Sequence, residues 1–99
     1  MKTVNYENNN VAVIEDYSLI TNSDGNIKYN IKEIYVSSAI DNSFSLYDDD
    51  GNTIIPTTFI KARVPVKLTF DINTVAGKSV LLSCGLVFSI QVSYSEVGD

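Results

Sequence analysis

The chemistry open to this chain is bounded by what its 99 residues lack: there is no histidine and only one cysteine, Cys84. Without histidine the commonest general base is missing, and neither a Ser-His-Asp nor a Cys-His arrangement can be assembled. A single thiol makes neither a zinc site of Cys and His ligands nor an intrachain disulfide. Cys84 stands between Ser83 and Gly85 with no basic neighbour in sequence to lower its pKa. It reads as a small packed thiol and not as a nucleophile. No GxGxxG and no P-loop occurs. No catalytic residue and no cofactor is expected.

The densest chemical signal is Asp48-Asp49-Asp50-Gly51-Asn52. Asp48, Asp50 and Asn52 alternate, a spacing that offers three oxygens to a Ca²⁺ ion. The stretch lacks the closing glutamate of an EF-hand loop, and strand-like runs flank it. Asp and Asn before and after a glycine are also what a tight turn needs for backbone reasons, and the turn is the preferred reading. The three carboxylates are too local to flank a scissile glycosidic bond.

Two further sets are candidates for binding. Of the six tyrosines, Tyr6, Tyr17, Tyr29, Tyr35, Tyr47 and Tyr94, only Tyr35 and Tyr47 fall on the opposite parity to their apolar neighbours. These two are the residues a glycan-binding surface would use, whereas Tyr29 and Tyr94 read as core rings with wet hydroxyls. Lys61, Arg63 and Lys67 share one parity and hold three of the seven basic residues. Such a stripe guards an edge strand, or meets an acidic patch such as the 48–50 loop of another copy.

Twelve acidic residues against seven basic ones give a net charge of −5. Phosphate and anionic-membrane affinity need clustered Lys and Arg, so no nucleic-acid or membrane partner is expected. Proteins and neutral surfaces are the expected partners. MKTVNYENNN has no apolar core of a secretory signal, and a chain made and folded in a cytoplasm is expected.

The elements that must carry these groups are strands. Residues 1–10 are polar and Asn-rich, and predict a flexible arm ahead of a single domain at 11–99. Val11–Ile14 and Tyr17–Ile20 are short β-rich runs broken by Glu15-Asp16, and 22–26 reads as a turn built on Asp-Gly. Ile27, Tyr29 and Ile31 alternate, then the phase slips at Lys32-Glu33, as a β-bulge requires. Phe44 and Leu46 lead into a hairpin at 47–52. From Ile60 to Phe70 the alternation is long, but Pro65 makes it an edge strand or two strands joined by a bend. No window carries apolar residues at helical spacing over three turns. The fold expected is all-β, a small antiparallel β-sandwich or jelly roll of seven to eight strands.

The last long strand has the clearest parity. Leu86, Phe88, Ile90, Val92 and Tyr94 point inward, and Val87, Ser89, Gln91 and Ser93 point outward. The outer row is small and uncharged, which suits contact with another subunit. Val87, Ser89, Gln91 and Ser93, with Lys61, Arg63 and Lys67, are the interface candidates.

Across Ile31–Glu96 the order IKEIYVSSA, FSLYDDDGNTI, VKLTFD, a Gly-containing loop and LLSCGLVFSIQVSYSE resembles small accessory virion proteins of tailed bacteriophages. In those chains a strand ending in "LYD" enters a Gly-rich hairpin and a late "GL" opens a closing strand ending in "VSY". The resemblance implies a β-sandwich that decorates a capsid or joins head–tail assemblies, other virion proteins as partners, homo-oligomers and no catalysis. The triple Asp and the Asn-rich arm depart from it. A glycan-binding or adhesion module is the alternative expectation, with a fimbrial subunit behind it.

Overall fold

The computed structural model describes Met1–Gly98 and is all-β. Eight strands follow in order: β1 (Lys2–Asn8), β2 (Val13–Ile20), β3 (Ile27–Ser38), β4 (Asn42–Tyr47), β5 (Thr53–Ile60), β6 (Val66–Asn73), β7 (Val80–Gly85) and β8 (Phe88–Gly98). They form two four-stranded sheets, sheet A in the order β1-β8-β3-β6 and sheet B in the order β2-β7-β4-β5. First pairs with last, second with seventh, third with sixth and fourth with fifth, all antiparallel. One long hairpin has thus been rolled up on itself, which is the jelly-roll arrangement. Among the described residues no helix is long and apolar enough to cross a membrane.

The inner faces meet as the alternation requires. Ile31, Ile34, Val36, Phe88, Ile90 and Val92 of sheet A pack on Phe44, Leu46, Ile55, Val80 and Leu82 of sheet B, all buried. The Phe44 and Phe88 rings lie 5.5 Å apart within this layer. At about 1.5–3 kcal/mol for each large side chain removed from water, this double row is the main source of stability. The β-bulge predicted at Lys32-Glu33 is present as a register shift between Ile31 and Glu33. The hairpin at 47–52 is present too, with Gly51 at φ 80° supplying the left-handed turn residue between β4 and β5.

Several expectations need correction. The 1–10 stretch read as a flexible arm supplies β1, which pairs residue for residue with β8 from Lys2 opposite Tyr94 to Asn8 opposite Phe88. A ladder is held by backbone groups, so a strand on a sheet edge needs few apolar side chains; Val4 and Tyr6 suffice to turn one face inward. The turn expected at 22–26 is present, and it carries the chain from β2 in one sheet to β3 in the other. The run from Ile60 to Phe70 is two strands in opposite sheets, so Lys61, Arg63 and Lys67 do not line one strand. The chain turns between them at Arg63, whose φ is 63°, and whose N–H donates to Ser38 O at 2.8 Å. Val87 is likewise not on the outer row of β8 but in the β7–β8 turn, at φ 55°.

The turn-bearing ends are fixed by amides. Asn42 Nδ2 donates to Leu86 O at 2.9 Å while its Oδ1 accepts from Gly85 N at 3.2 Å. A Cβ on Gly85 would stand 2.5 Å from that same Oδ1, so any side chain there would push the Asn42 amide out of place. Asn8 Nδ2 similarly bridges Val11 O and Gly85 O, each at 2.9 Å.

Candidate functional site

The outer face of sheet A gathers most of the candidates from the sequence. Register places Glu7, Ser89 and Ser37 in one row across β1, β8 and β3. The next row is Asn5, Gln91, Tyr35 and Lys67, and the third is Thr3, Ser93, Glu33 and Thr69. Small hydroxyls and amides form the floor. Tyr35, 42% exposed, is the only ring among them.

Two shallow depressions share Ser37, Pro65 and Ser89 and so run together as one trough. Its upper end lies against Arg63 and Val87, with Glu7 on the opposite bank; its lower end reaches Asn5, Tyr35 and Gln91. Arg63 and Val87 are two of the three non-glycine residues with positive φ among the described residues, the third being Asp16. For a β-branched valine that conformation is strongly disfavoured, and such residues store on the order of 1–3 kcal/mol each. Both stand at the same end of the same trough.

Lys67 and Glu33 pair on this face. Lys67 Nζ lies 5.6 Å from the Tyr35 ring centroid and 3.6 Å from Glu33 Oε2. Contact with Tyr35, followed by the Glu33 carboxylate, holds its ammonium above the ordinary lysine range. Lys67 is therefore already engaged within its own chain. Arg63 and Lys61 make no ion pair among the described residues. Lys61, in the β5–β6 loop, lines a separate cleft with Asp41, Asn42, Phe59 and Ile60 on the sheet B side and does not join the trough.

Tyr47 sits away from Tyr35, on the outer face of sheet B. Its hydroxyl donates to the Asp16 carboxylate and accepts the Asp16 N–H. Burial, then the bond to Asp16, pushes its pKa up. With its hydroxyl committed to holding the left-handed Asp16, Tyr47 is a strut, and the two glycan candidates cannot form one platform.

The Asp48 loop is a built turn. Asp48 is buried; its Oδ1 accepts the N–H groups of Asp50 and Asn52 at 2.9 and 3.0 Å, and its Oδ2 accepts Asn52 Nδ2 at 3.3 Å. Burial alone would raise its pKa, but these donors and nearby Lys78 outweigh it and hold the carboxyl below its ordinary value. Asp49 accepts Ser79 N and Asp50 pairs with Lys78 at 3.1 Å. The Asp48 carboxylate thus serves the turn, while that of Asp50 is engaged by Lys78. Cys84 is buried on sheet B, and desolvation pushes its thiol up to about 11.

The sequence reading missed Asn5, Glu7 and Ser37, which complete the trough. The signal was available: Val4 and Tyr6 alternate with Asn5 and Glu7.

No protein-family model matches the chain, and no curated protein matches it. Among solved structures, the C-terminal domain of EclA, a sugar-binding protein, is similar at TM-score 0.46 and 11% identity, over 97% of this chain and 77% of that one. A disulfide-linked pilus of Bacillus endospore appendages is similar at TM-score 0.41 and 12% identity, over 95% of this chain and 85% of that one. Likeness at this level brings neither protein's role to this chain.

Proposed function

We propose that the chain is a non-catalytic binding subunit that docks through the sheet A trough onto a larger protein surface. The single observation that carries this is the convergence of Arg63 and Val87, both in left-handed backbone, on one end of a neutral trough floored by Ser37 and Ser89. Strain of this kind persists where the surrounding structure over-determines it, and function is a common reason. Small side chains without net charge let a partner approach closely, and the hydroxyls and amides supply hydrogen bonds at its rim. A tailed-phage virion is the setting proposed, on the resemblance of Ile31–Glu96 alone. Jelly rolls serve as capsid and as lectin domains alike, so the fold is compatible with this setting and does not select it.

The test is co-sedimentation with phage particles produced by the source strain, combined with two variants. Wild-type chain is expected in the particle fraction, and Gln91→Arg, which sets a long cation on the floor, is expected to leave it. Val87→Gly relieves the backbone and is expected to raise Tm, by roughly 4–8 °C if about 1 kcal/mol is recovered, while weakening docking. Particles that never contain the chain by mass spectrometry would remove the virion setting. Docking indifferent to both variants would remove the trough.

One observation favours a second reading. Tyr35 lies beside Asn5 and Gln91 amides, a ring next to hydrogen-bonding groups, which is how a sugar is held. Glycan-array binding lost in Tyr35→Ala and kept in Tyr47→Ala would select it.

A further inference from the structure

Strand β6 is the exposed margin of sheet A, and it differs from every other strand edge of the molecule. Its inner row is Val66, Leu68, Phe70 and Ile72, four large apolar side chains packed against the core, yet none of its eight residues is buried. The other margins are blunted. β2 carries the left-handed Asp16 and two register shifts, β5 carries Pro56 and two register shifts, and β1 is polar over most of its length. Proline and irregular register are the devices by which edges avoid pairing. β6 contains no proline and no left-handed residue; its ladder with β3 has a single register shift, opposite Phe70 and Asp71, and its in–out alternation still runs from end to end.

Its sequence, VKLTFDIN, reads as its own partner. Two copies laid antiparallel about Thr69 place Val66 opposite Ile72, Lys67 opposite Asp71, Leu68 opposite Phe70 and Thr69 opposite itself. Apolar meets apolar on the inner side; opposite charges meet on the outer side. Threonine pairs and opposite-charge pairs are both favourable across strands. The charges are set for it within the chain. Lys67 is held 3.6 Å from Glu33, and Asp71 is 3.7 Å from Lys32 and accepts Asn30 Nδ2 at 2.8 Å. The Asn30 bond, then Lys32, holds the Asp71 carboxyl below its ordinary pKa, so it is ionised when its partner arrives. Across the joint a chain of ion pairs would run from Glu33 to Lys67, to the second copy's Asp71 and on to the second copy's Lys32, alternating in sign.

We infer that two copies of the chain join through β6, edge to edge about a two-fold axis at Thr69, to give one continuous eight-stranded sheet. This deepens the binding role proposed above and rests on it for its purpose: the joint sets two troughs side by side on one face, and paired weak contacts then act together.

The experiment is sedimentation velocity over a concentration series, with cysteine variants read under oxidation. A dimer is expected for the wild type, and Lys67→Asp, which sets Asp against Asp71 twice, is expected to weaken it at least tenfold. Thr69→Cys is expected to cross-link to itself, because the axis brings that position opposite its own copy. Lys67→Cys alone is expected not to, but to link to Asp71→Cys when the two variants are mixed. Buried Cys84 gives the background and is subtracted with the parent chain. A monomer at several hundred micromolar, or a dimer that ignores Lys67→Asp and links no Thr69→Cys, overturns the inference. A monomer that still docks on particles overturns this joint and spares the trough; a β6 dimer that docks on nothing does the reverse.

Discussion

The roll has two lateral seams, where the margin of one sheet passes the margin of the other, and they are finished differently. At the β1/β2 seam Tyr6 and Tyr17 lay their rings 4.0 Å apart and close the gap. On the opposite margin of sheet A, β6 offers Val66, Leu68, Phe70 and Ile72 partly buried against the core, with no aromatic pair among the described residues to close the gap, and β5, the margin of sheet B, is not hydrogen-bonded to it. The chain evidently can seal a seam with two aromatic rings. That it leaves β6 without such a closure, apolar on one side and carrying Lys67 and Asp71 on the other, is why we infer that this margin is kept for a partner and the tyrosine seam for water.

The largest effect should come from the layer both seams share. Phe88→Ala removes a ring buried against Phe44 and is expected to cost about 3–5 kcal/mol in urea unfolding. Next, Tyr6→Ala opens the closed seam and should cost about 2 kcal/mol, since it loses a ring–ring contact along with partly buried area. Phe70→Ala on β6 should cost less, about 1 kcal/mol in dilute solution, because that ring is only partly buried and has no aromatic partner among the described residues. If Phe70→Ala matched Tyr6→Ala in dilute monomer, the seams would not differ as described.

The Asp48 turn, away from both seams, gives a pH-dependent control. Its folded carboxyl lies below the unfolded value, so its contribution is whole above the ordinary carboxylate range and is lost as pH falls through the folded pKa. The stability gap between wild type and Asp48→Asn should therefore be widest at neutral pH and shrink in acid; a gap constant from pH 7 to pH 2 would contradict the ionised staple. The smallest effect belongs to Lys2→Ala, which breaks an exposed pair with Glu96 and should leave the urea midpoint unchanged within error.

What the sequence disclosed follows the strength of the side-chain signal. The parity of Phe88, Ile90 and Val92, the slip at Lys32-Glu33 and the Asp-Gly turn at 50–51 are each written directly in residue types and their spacing. The crossovers were not written in this way. Every connection but β4–β5 passes between sheets, and the Asn and Gly that turn a chain within one sheet turn it just as well between two. The stripe of Lys61, Arg63 and Lys67 was misplaced because parity runs on unbroken through a left-handed Arg63 that no residue type announces. β1 was hidden by composition, since Asn5, Glu7 and Asn8 pair by backbone alone. The trough was half legible: Ser89, Gln91 and Ser93 stood out as an uncharged row, while Asn5, Glu7 and Ser37 needed their neighbours to become part of it.

Hydrogen exchange tests most directly the assignment of β6 as the joining margin. Amides of residues 66–73 are expected to exchange faster than the core strands in dilute solution and to gain protection as the protein is concentrated. Those of 2–8, on the tyrosine side, are expected to stay as they were. Protection that is independent of concentration at both margins, or that grows along β1 in place of β6, would contradict it.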